Sequence, residues 1–408
     1  MRIAIPVEGL PHFQPEMFRN EEFLLFRRLA DRQRAVLAVG VLRAVEAPVF
    51  GPSGEADEWY FGVLRYEWRH ALFAGKSSDA GATRWYVPRY VIEWIGDRTL
   101  VHAMPEDVEQ VAPWIEALNA ETIAMEPYSI ELTWDQHVPR DPYIQSVRKL
   151  LAHIQRGDIY EVNYCTERHA LDTAFDPFAA FAALDRRSQA PFSAFLREGD
   201  SFALCASPER FLAFNGRHVV GEPMKGTRPR STDEATDREA AQELANDAKE
   251  RSENIMALDV VRHDLSRIAA SGTVKVTELC AVRSYPRVHQ MVSTVEATIR
   301  TGLDPSDVLR ATFPMASMTG APKVRAMELI NEVEEGPRGL FSGSLGFFAP
   351  DGTGDFNVVI RTLFFNASSG RLSLTTGSAI TAQCLPEQEY EECQVKARSV
   401  IDALRHDR

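Results

Sequence analysis

No apolar run in this sequence approaches the roughly 18 residues a helix needs to cross a bilayer, so no membrane span is expected. Cysteine is scarce. There are five, Cys165, Cys205, Cys280, Cys384 and Cys393, widely spaced and without a C-x-x-C pair. An odd, scattered set argues against a disulfide framework and a structural zinc site, and fits a reducing compartment. The opening MRIAIPVEGL has no basic stretch followed by a long apolar run, so no secretory leader is expected and the protein reads as cytoplasmic. Positive charge is in deficit: the formal net charge is −13, which repels nucleic-acid phosphates and anionic lipid, and neither is an expected partner. A site for an anion must therefore gather a few basic residues locally. Several catalytic signatures are missing as well: a G-x-x-x-x-G-K-S/T phosphate loop, G-x-G-x-x-G after a strand, H-E-x-x-H, G-x-S-x-G, and the cysteine elbow of a glutaminase.

At 408 residues the chain is long for one core, and length alone favours two or three domains. No internal repeat or low-complexity tract occurs. To about residue 130, short apolar runs such as VLAVGVL mix with aromatic-rich WYFGVLRYEW, reading as strands and connecting helices of a mixed sheet. The turn formers in MEPYSIELTWDQHVPRDPY mark the best boundary. Beyond it, helices are expected at 143–156, 178–186, 237–270, 304–313, 324–332 and 387–405. Strands are expected at 160–170, 193–196, 202–205, 211–214, 343–348, 357–365 and 372–376. Leu258, Val261, Leu265 and Ile268 form one helical stripe. Without a regular βαβ rhythm the fold class is α+β, with a large mixed or antiparallel sheet.

Four segments carry candidate chemistry. In GEPMKGTRPR, a rigid turn presents Lys225, and the nearby Arg228 and Arg230 are expected to lower its pKa; a solvated surface turn is the alternative. In PMASMTGAPKVRAMELI, Gly320 and Pro322 precede a helix whose N-terminus, with Lys323 and Arg325, suits an anion; a simple capped helix is the alternative. Glu250, Glu253 and Asn254 share one helix face, and Glu389, Glu392 and Lys396 another; together they either hold magnesium or are merely solvated. Finally, Arg361 sits inside the apolar NVVIRTLFF and TTGSAITAQ brings a glycine turn, so the guanidinium serves either a substrate carboxylate or a buried ion pair. The residues alone reach an enzyme for a small anionic substrate, with magnesium a candidate cofactor.

Taken in order, GDIYEVN, SPERF, MKGTRPR, ENIMALDVVRHDL, TGAPKVRAMELINEVE, GSLGFF, NVVIRT and EQEYEEC resemble the chorismate-utilising family, over about residues 140–403. The resemblance implies a single intertwined two-sheet α/β sandwich, with residues 1–130 as a layer of the same unit and 140–403 as the catalytic segment. It implies a site for magnesium and chorismate, a dianion with two carboxylates. Glu253 and Glu392 would bind the metal, with Glu389 close by, and the metal would hold the ring carboxylate. Arg361 would hold the enolpyruvyl carboxylate. Lys396, Gly377 and Ser378 would position the ring carboxylate. Glu209 would be the acid and base at the ring carbon 4 hydroxyl, and Thr227 and Lys225 would line the face near carbon 2.

Within the family Lys225 marks the branch that aminates ring carbon 4, where the other branches usually carry a small residue. The implied role is covalent: its amine adds at carbon 2 as hydroxyl leaves carbon 4, then ammonia attacks carbon 4 and expels the lysine. Three positions depart from the family pattern: Gln290 where His is common, Glu161 where Gln or Lys is common, and Ala379 where Gly is usual. The resemblance also implies a separate glutamine amidotransferase supplying ammonia, and another protein to release pyruvate. No LLES-like string of the tryptophan-feedback kind occurs in the N-terminal region. Two alternatives remain: an anthranilate-forming enzyme, which Lys225 argues against, and an idle chorismate-binding paralogue. Joint retention of Glu209, Glu253, Glu392, Arg361 and Lys225 argues against the latter.

Overall fold

The structure, a computed structural model, describes residues 2–7, 13–30, 33–73, 82–120, 128–136, 138–171 and 173–405. Residues 1 and 8–10 of the opening segment, and 125–127 and 137 of the expected boundary, lie outside them. Every strand pairing within the described residues is antiparallel. The strands form one continuous sheet with two arms. The first arm runs Ile3–Val7, Arg98–Ala103, Thr83–Ile95, Arg34–Val45, Phe23–Arg28, Phe192–Glu198, Ser201–Ser207, Thr362–Asn366, Arg371–Thr381, Glu161–Ala170 and the short Gly320–Ala321. The second leaves the same strand Thr83–Ile95 through Tyr60–Leu64, Ser344–Phe348, Thr353–Asn357, Arg210–Asn215 and His218–Gly221 to Val288–Thr298. Lys275–Ser284 and Met224–Pro229 both pair with that last strand. The α+β class and the large antiparallel sheet are as expected.

Side-chain alternation explains why the arms stack. Phe23 and Leu25 belong to one cluster, which also holds Phe61, Val63, Leu345 and Phe347 of the other arm and is therefore the core between them. Leu24 and Phe26 point to the opposite face, where helices Val108–Ala120 and Pro177–Ser188 cover them. The second arm is covered by helices Ala248–Ser266 and Pro305–Thr312, and the stripe Leu258, Val261, Leu265 and Ile268 packs there. A fourth cluster joins helices Arg140–Gln155, Lys323–Val333 and Pro386–Ile401 to strand Glu161–Ala170. Tyr128, Ile130, Leu132 and Trp134, from the described part of the expected boundary, pack on the first arm's outer cluster.

Three elements differ from expectation. The rigid turn expected around Lys225 is a strand, Met224–Pro229, because it pairs with Val288–Thr298. The helix over 237–270 is two helices, Glu234–Asn246 and Ala248–Ser266, because Asp247 takes an extended conformation and accepts from the backbone N–H groups of Lys249 and Glu250 as an N-cap. The strand over 357–365 is interrupted between Asn357 and Thr362, where Arg361 adopts a left-handed φ of 53°.

Candidate active site

Lys225 lies on Met224–Pro229 in one arm, and Glu161 opens Glu161–Ala170 in the other. Their side chains meet across the gap, Lys225 Nζ donating to Glu161 Oε1 at 2.6 Å, with 12% and 8% of each exposed. The local cause is a bulge. The register of Met224–Pro229 slips between Lys225 and Thr227, with Gly226 between them at φ +69°. A Cβ on Gly226 would stand 2.9 Å from both Glu250 and Leu244. Arg228 and Arg230 turn away, Arg228 to Asp247 at 2.8 Å and Arg230 to Asp237 at 2.8 Å. The expectation that these cations lower the Lys225 pKa is therefore corrected. Burial does pull it down, but the Glu161 carboxylate at contact, with Glu253 and Glu209 behind it, outweighs burial and raises it.

Glu209 follows strand Ser201–Ser207. Its backbone N–H donates to Ser207 Oγ at 3.2 Å, its carbonyl accepts from Val358 at 3.1 Å, and the residue is 5% exposed. It lines a small cavity with Pro223, Asp264, Thr312, Met315 and Ser317. Burial pushes its carboxyl up to about 7, against the opposing Ser317 hydroxyl and Lys225 ammonium. Lys323 is not free for an anion: it is buried on Asp264 and on the Thr312 and Pro314 carbonyls, while Arg325 pairs at the surface with Glu328. The segment is a plain helix start, as the alternative reading had it, but no side chain caps it: Pro322 leads in without a side-chain hydrogen bond.

Helices Ala248–Ser266 and Pro386–Ile401 bring their acids together around Lys249, whose ammonium feels Glu253, Glu389, Glu250 and Glu392. Glu253 and Glu389 are buried; Glu392 is more exposed and pairs with Lys396 at 2.6 Å. Burial and then the Glu392 charge push Glu389 up to about 7, and burial raises Glu253. Among the described residues no three His, Cys, Asp or Glu groups stand in ligating geometry. The donor set still fits magnesium in kind, because that ion takes one or two carboxylates and fills its octahedron with water and substrate oxygens. Buried carboxyls such as Glu253 and Glu389, both raised by burial, are what a hard cation would relieve.

Lys396 also donates to the Gly377 carbonyl at 2.8 Å. Gly377 lets the neighbouring strand's side chains come close: a Cβ there would stand 2.4 Å from Asn163 Oδ1 and 2.7 Å from Cys165 Sγ, so one of them would have to shift. Ser378 Oγ is buried at 2.8 Å from the Tyr143 hydroxyl, and Ala379 sits in regular register opposite Asn163. Arg361 is half-buried; Nη1 donates to Ser399 Oγ at 2.7 Å, and among the described residues it forms no ion pair. Burial lowers its pKa and Glu392 partly offsets this. A guanidinium in that state leaves room for a carboxylate. Thr227 is exposed beyond the bulge, opposite Gln290. Gln290 is buried with Oε1 unpartnered, whereas His289 is held by Ser284 at 2.8 Å and Asp237 at 3.0 Å, so His289 does not stand in for a histidine at 290. Sequence reasoning missed the roles of Glu161 and Lys249. The one signal was an acid opening the strand sequence EVNYC.

Residues 21–402 match the family described as chorismate binding enzyme. The chain is 40% identical over 291 residues to aminodeoxychorismate synthase component 1 of Salmonella typhimurium, covering 71% of this chain and 63% of that protein. It is 41% identical over 265 residues to anthranilate synthase component 1 of Thermus thermophilus, covering 65% and 57%. These alignments span under two thirds of the relatives' own length. In fold it is similar to the menaquinone-specific isochorismate synthase of Escherichia coli, with TM-score 0.83 at 17% identity, covering 99% of this chain and 94% of that one. The anthranilate synthase component I of Streptococcus pneumoniae gives 0.74 at 20%, covering 97% and 94%. With its matching segment running through nearly the whole sheet, the chain belongs to the chorismate-binding enzyme family.

Proposed function

We propose that this chain aminates chorismate at ring carbon 4, in the manner of an aminodeoxychorismate synthase component 1, feeding 4-aminobenzoate and folate synthesis. The observation that carries the reading is the buried Lys225 amine in a bulge, set among Glu161, Glu209 and Glu253. Arg361 takes the enolpyruvyl carboxylate, while Lys396 and the backbone at Gly377 and Ser378 orient the ring carboxylate. Glu209, protonated up to about pH 7, gives its proton to the leaving hydroxyl at carbon 4. The Lys225 amine adds at carbon 2, so one hard substitution becomes two easier ones. Magnesium held by Glu253 and Glu392, with Glu389 adjacent, would supply charge neutralisation at the ring carboxylate. Ammonia comes from a separate glutamine amidotransferase. The working unit is residues 1–130 and 140–403 folded together, in the cytoplasm; among the described residues no helix is long and apolar enough to cross a membrane.

A second reading, an anthranilate synthase component, is favoured by the ion pair that holds Lys225 charged at rest. Chorismate, magnesium and ammonium incubated with the chain and an aminodeoxychorismate lyase separate the two. The expected product is 4-aminobenzoate, dependent on lyase and impaired in Lys225→Ala. Anthranilate and pyruvate without lyase support the second reading, and magnesium-dependent turnover of either kind excludes an idle paralogue.

A further inference from the structure

A lysine must shed a proton before it can attack carbon, and Lys225 is built to keep its proton at rest. The three groups acting on it most strongly are Glu161 from the facing strand, Glu253 from helix Ala248–Ser266, and Glu209 from the turn before Arg210–Asn215; Glu392 of helix Pro386–Ile401 also feels its charge. All three are acidic. Glu161 alone among these three is hydrogen-bonded to the amine, at 2.6 Å. Glu209 is already assigned to carbon 4, and Glu253 to the metal. Glu161 is itself tightly set. Its backbone is paired with Ala321 and Thr381, and a Cβ on Gly320 would strike its carbonyl. Its carboxylate is therefore delivered to Lys225 by two strand pairings.

We propose that Glu161 is the proton acceptor for Lys225, taking the proton as the amine attacks and returning it when the lysine is expelled. The assignment rests on the functional reading above and deepens it. In the first half-reaction the Nζ–H proton passes to Glu161 and the nitrogen lone pair forms the bond to carbon 2. The ring double bond shifts, and the carbon 4–oxygen bond breaks with a proton from Glu209, releasing water. In the second, the ammonia lone pair bonds to carbon 4, the double bond shifts back, and the carbon 2–Nζ bond breaks with its electrons returning to nitrogen. Glu209 recovers a proton from the new ammonium, and Glu161 returns its own to Lys225. Chorismate and ammonia become the amino compound and water, with the protein unchanged. Glu161 acts through Lys225 and is a positioning and proton-holding residue.

The test is steady-state kinetics of wild type, Glu161→Gln and Glu161→Asp with chorismate, magnesium and ammonium across pH 6.5 to 9.5. The expected result for Glu161→Gln is kcat about 100-fold lower at neutral pH, with KM for chorismate little changed. Its log kcat relative to wild type should climb by about one unit per pH unit, because solvent must now take the proton, and Glu161→Asp should recover part of the rate. Glu161→Gln with kcat at pH 7 equal to or above wild type would mean that the carboxylate merely restrains the amine, and overturns the assignment alone. Absence of the carbon 4 amino product from the wild-type enzyme overturns the functional reading, and the assignment with it.

Discussion

Glu209 is one of two proposed site acids whose proton affinity is carried by burial into the physiological range; Glu389, among the metal-side acids, is the other. At neutral pH Glu209 is poised to give a proton and take one back, as its assigned place at carbon 4 requires. Glu209→Gln should therefore lower kcat by roughly 100-fold or more, and wild-type kcat should fall on an alkaline limb near pH 7 that the variant lacks. Stability should report the same group without turnover. Its folded-state value lies above the ordinary 4.5, so the stabilising contribution is complete below that pH and is lost as pH rises through about 7. Above pH 8 the ionised, buried carboxylate costs roughly 3 kcal/mol. Thermal unfolding of Glu209→Gln should thus show a shallower decline between pH 5 and 8 than wild type; parallel curves would mean that Glu209 is ionised at little cost.

At the scale of elements, the acids of two helices meet around one lysine. Magnesium that binds there stabilises the folded state by mass action, about 1.4 kcal/mol at ten times its dissociation constant. Added magnesium should raise the wild-type melting temperature, and Glu253→Gln with Glu392→Gln should remove the rise; an equal rise in the double variant would place the ion elsewhere. The helices themselves were legible in sequence, because the Leu258, Val261, Leu265 and Ile268 stripe has the helical period and packs as one face. The break at Asp247 was not, since a capping aspartate inside a charged helical run looks like any other exposed acid. The bulge at Gly226 shows the same limit. The glycine was visible, but which carboxylate the bulge aims Lys225 toward depends on a strand 64 residues away in sequence. Arg228 and Arg230 misled because proximity along the chain is not proximity of charge: on an extended strand they reach past the amine to the neighbouring helices.

At the scale of the molecule, a buried chain of charges crosses the sandwich. Arg27, fully buried, pairs with Asp355 at 2.5 Å; Asp355 pairs with Arg210, Arg210 with Glu222, and Glu222 with Arg283. Arg27 belongs to the first arm and Asp355 to the second. Arg27→Met removes one partner and leaves Asp355 on Arg210 alone, for an expected loss of about 3 kcal/mol. Urea unfolding followed by tryptophan fluorescence should show that loss in a single transition, because the arms share a core; two transitions would mean that they unfold separately. The shared strand Thr83–Ile95 also sets a schedule for synthesis. Tyr60–Leu64 leaves the ribosome early, yet its outer neighbour Ser344–Phe348 is made near the end, and Phe23–Arg28 waits for Phe192–Glu198. At ordinary elongation rates those apolar edges stand open for roughly tens of seconds, long enough to pair with a neighbouring nascent chain. Yield of active enzyme should therefore depend on translation speed and on chaperone supply far more than the stability of the finished protein implies.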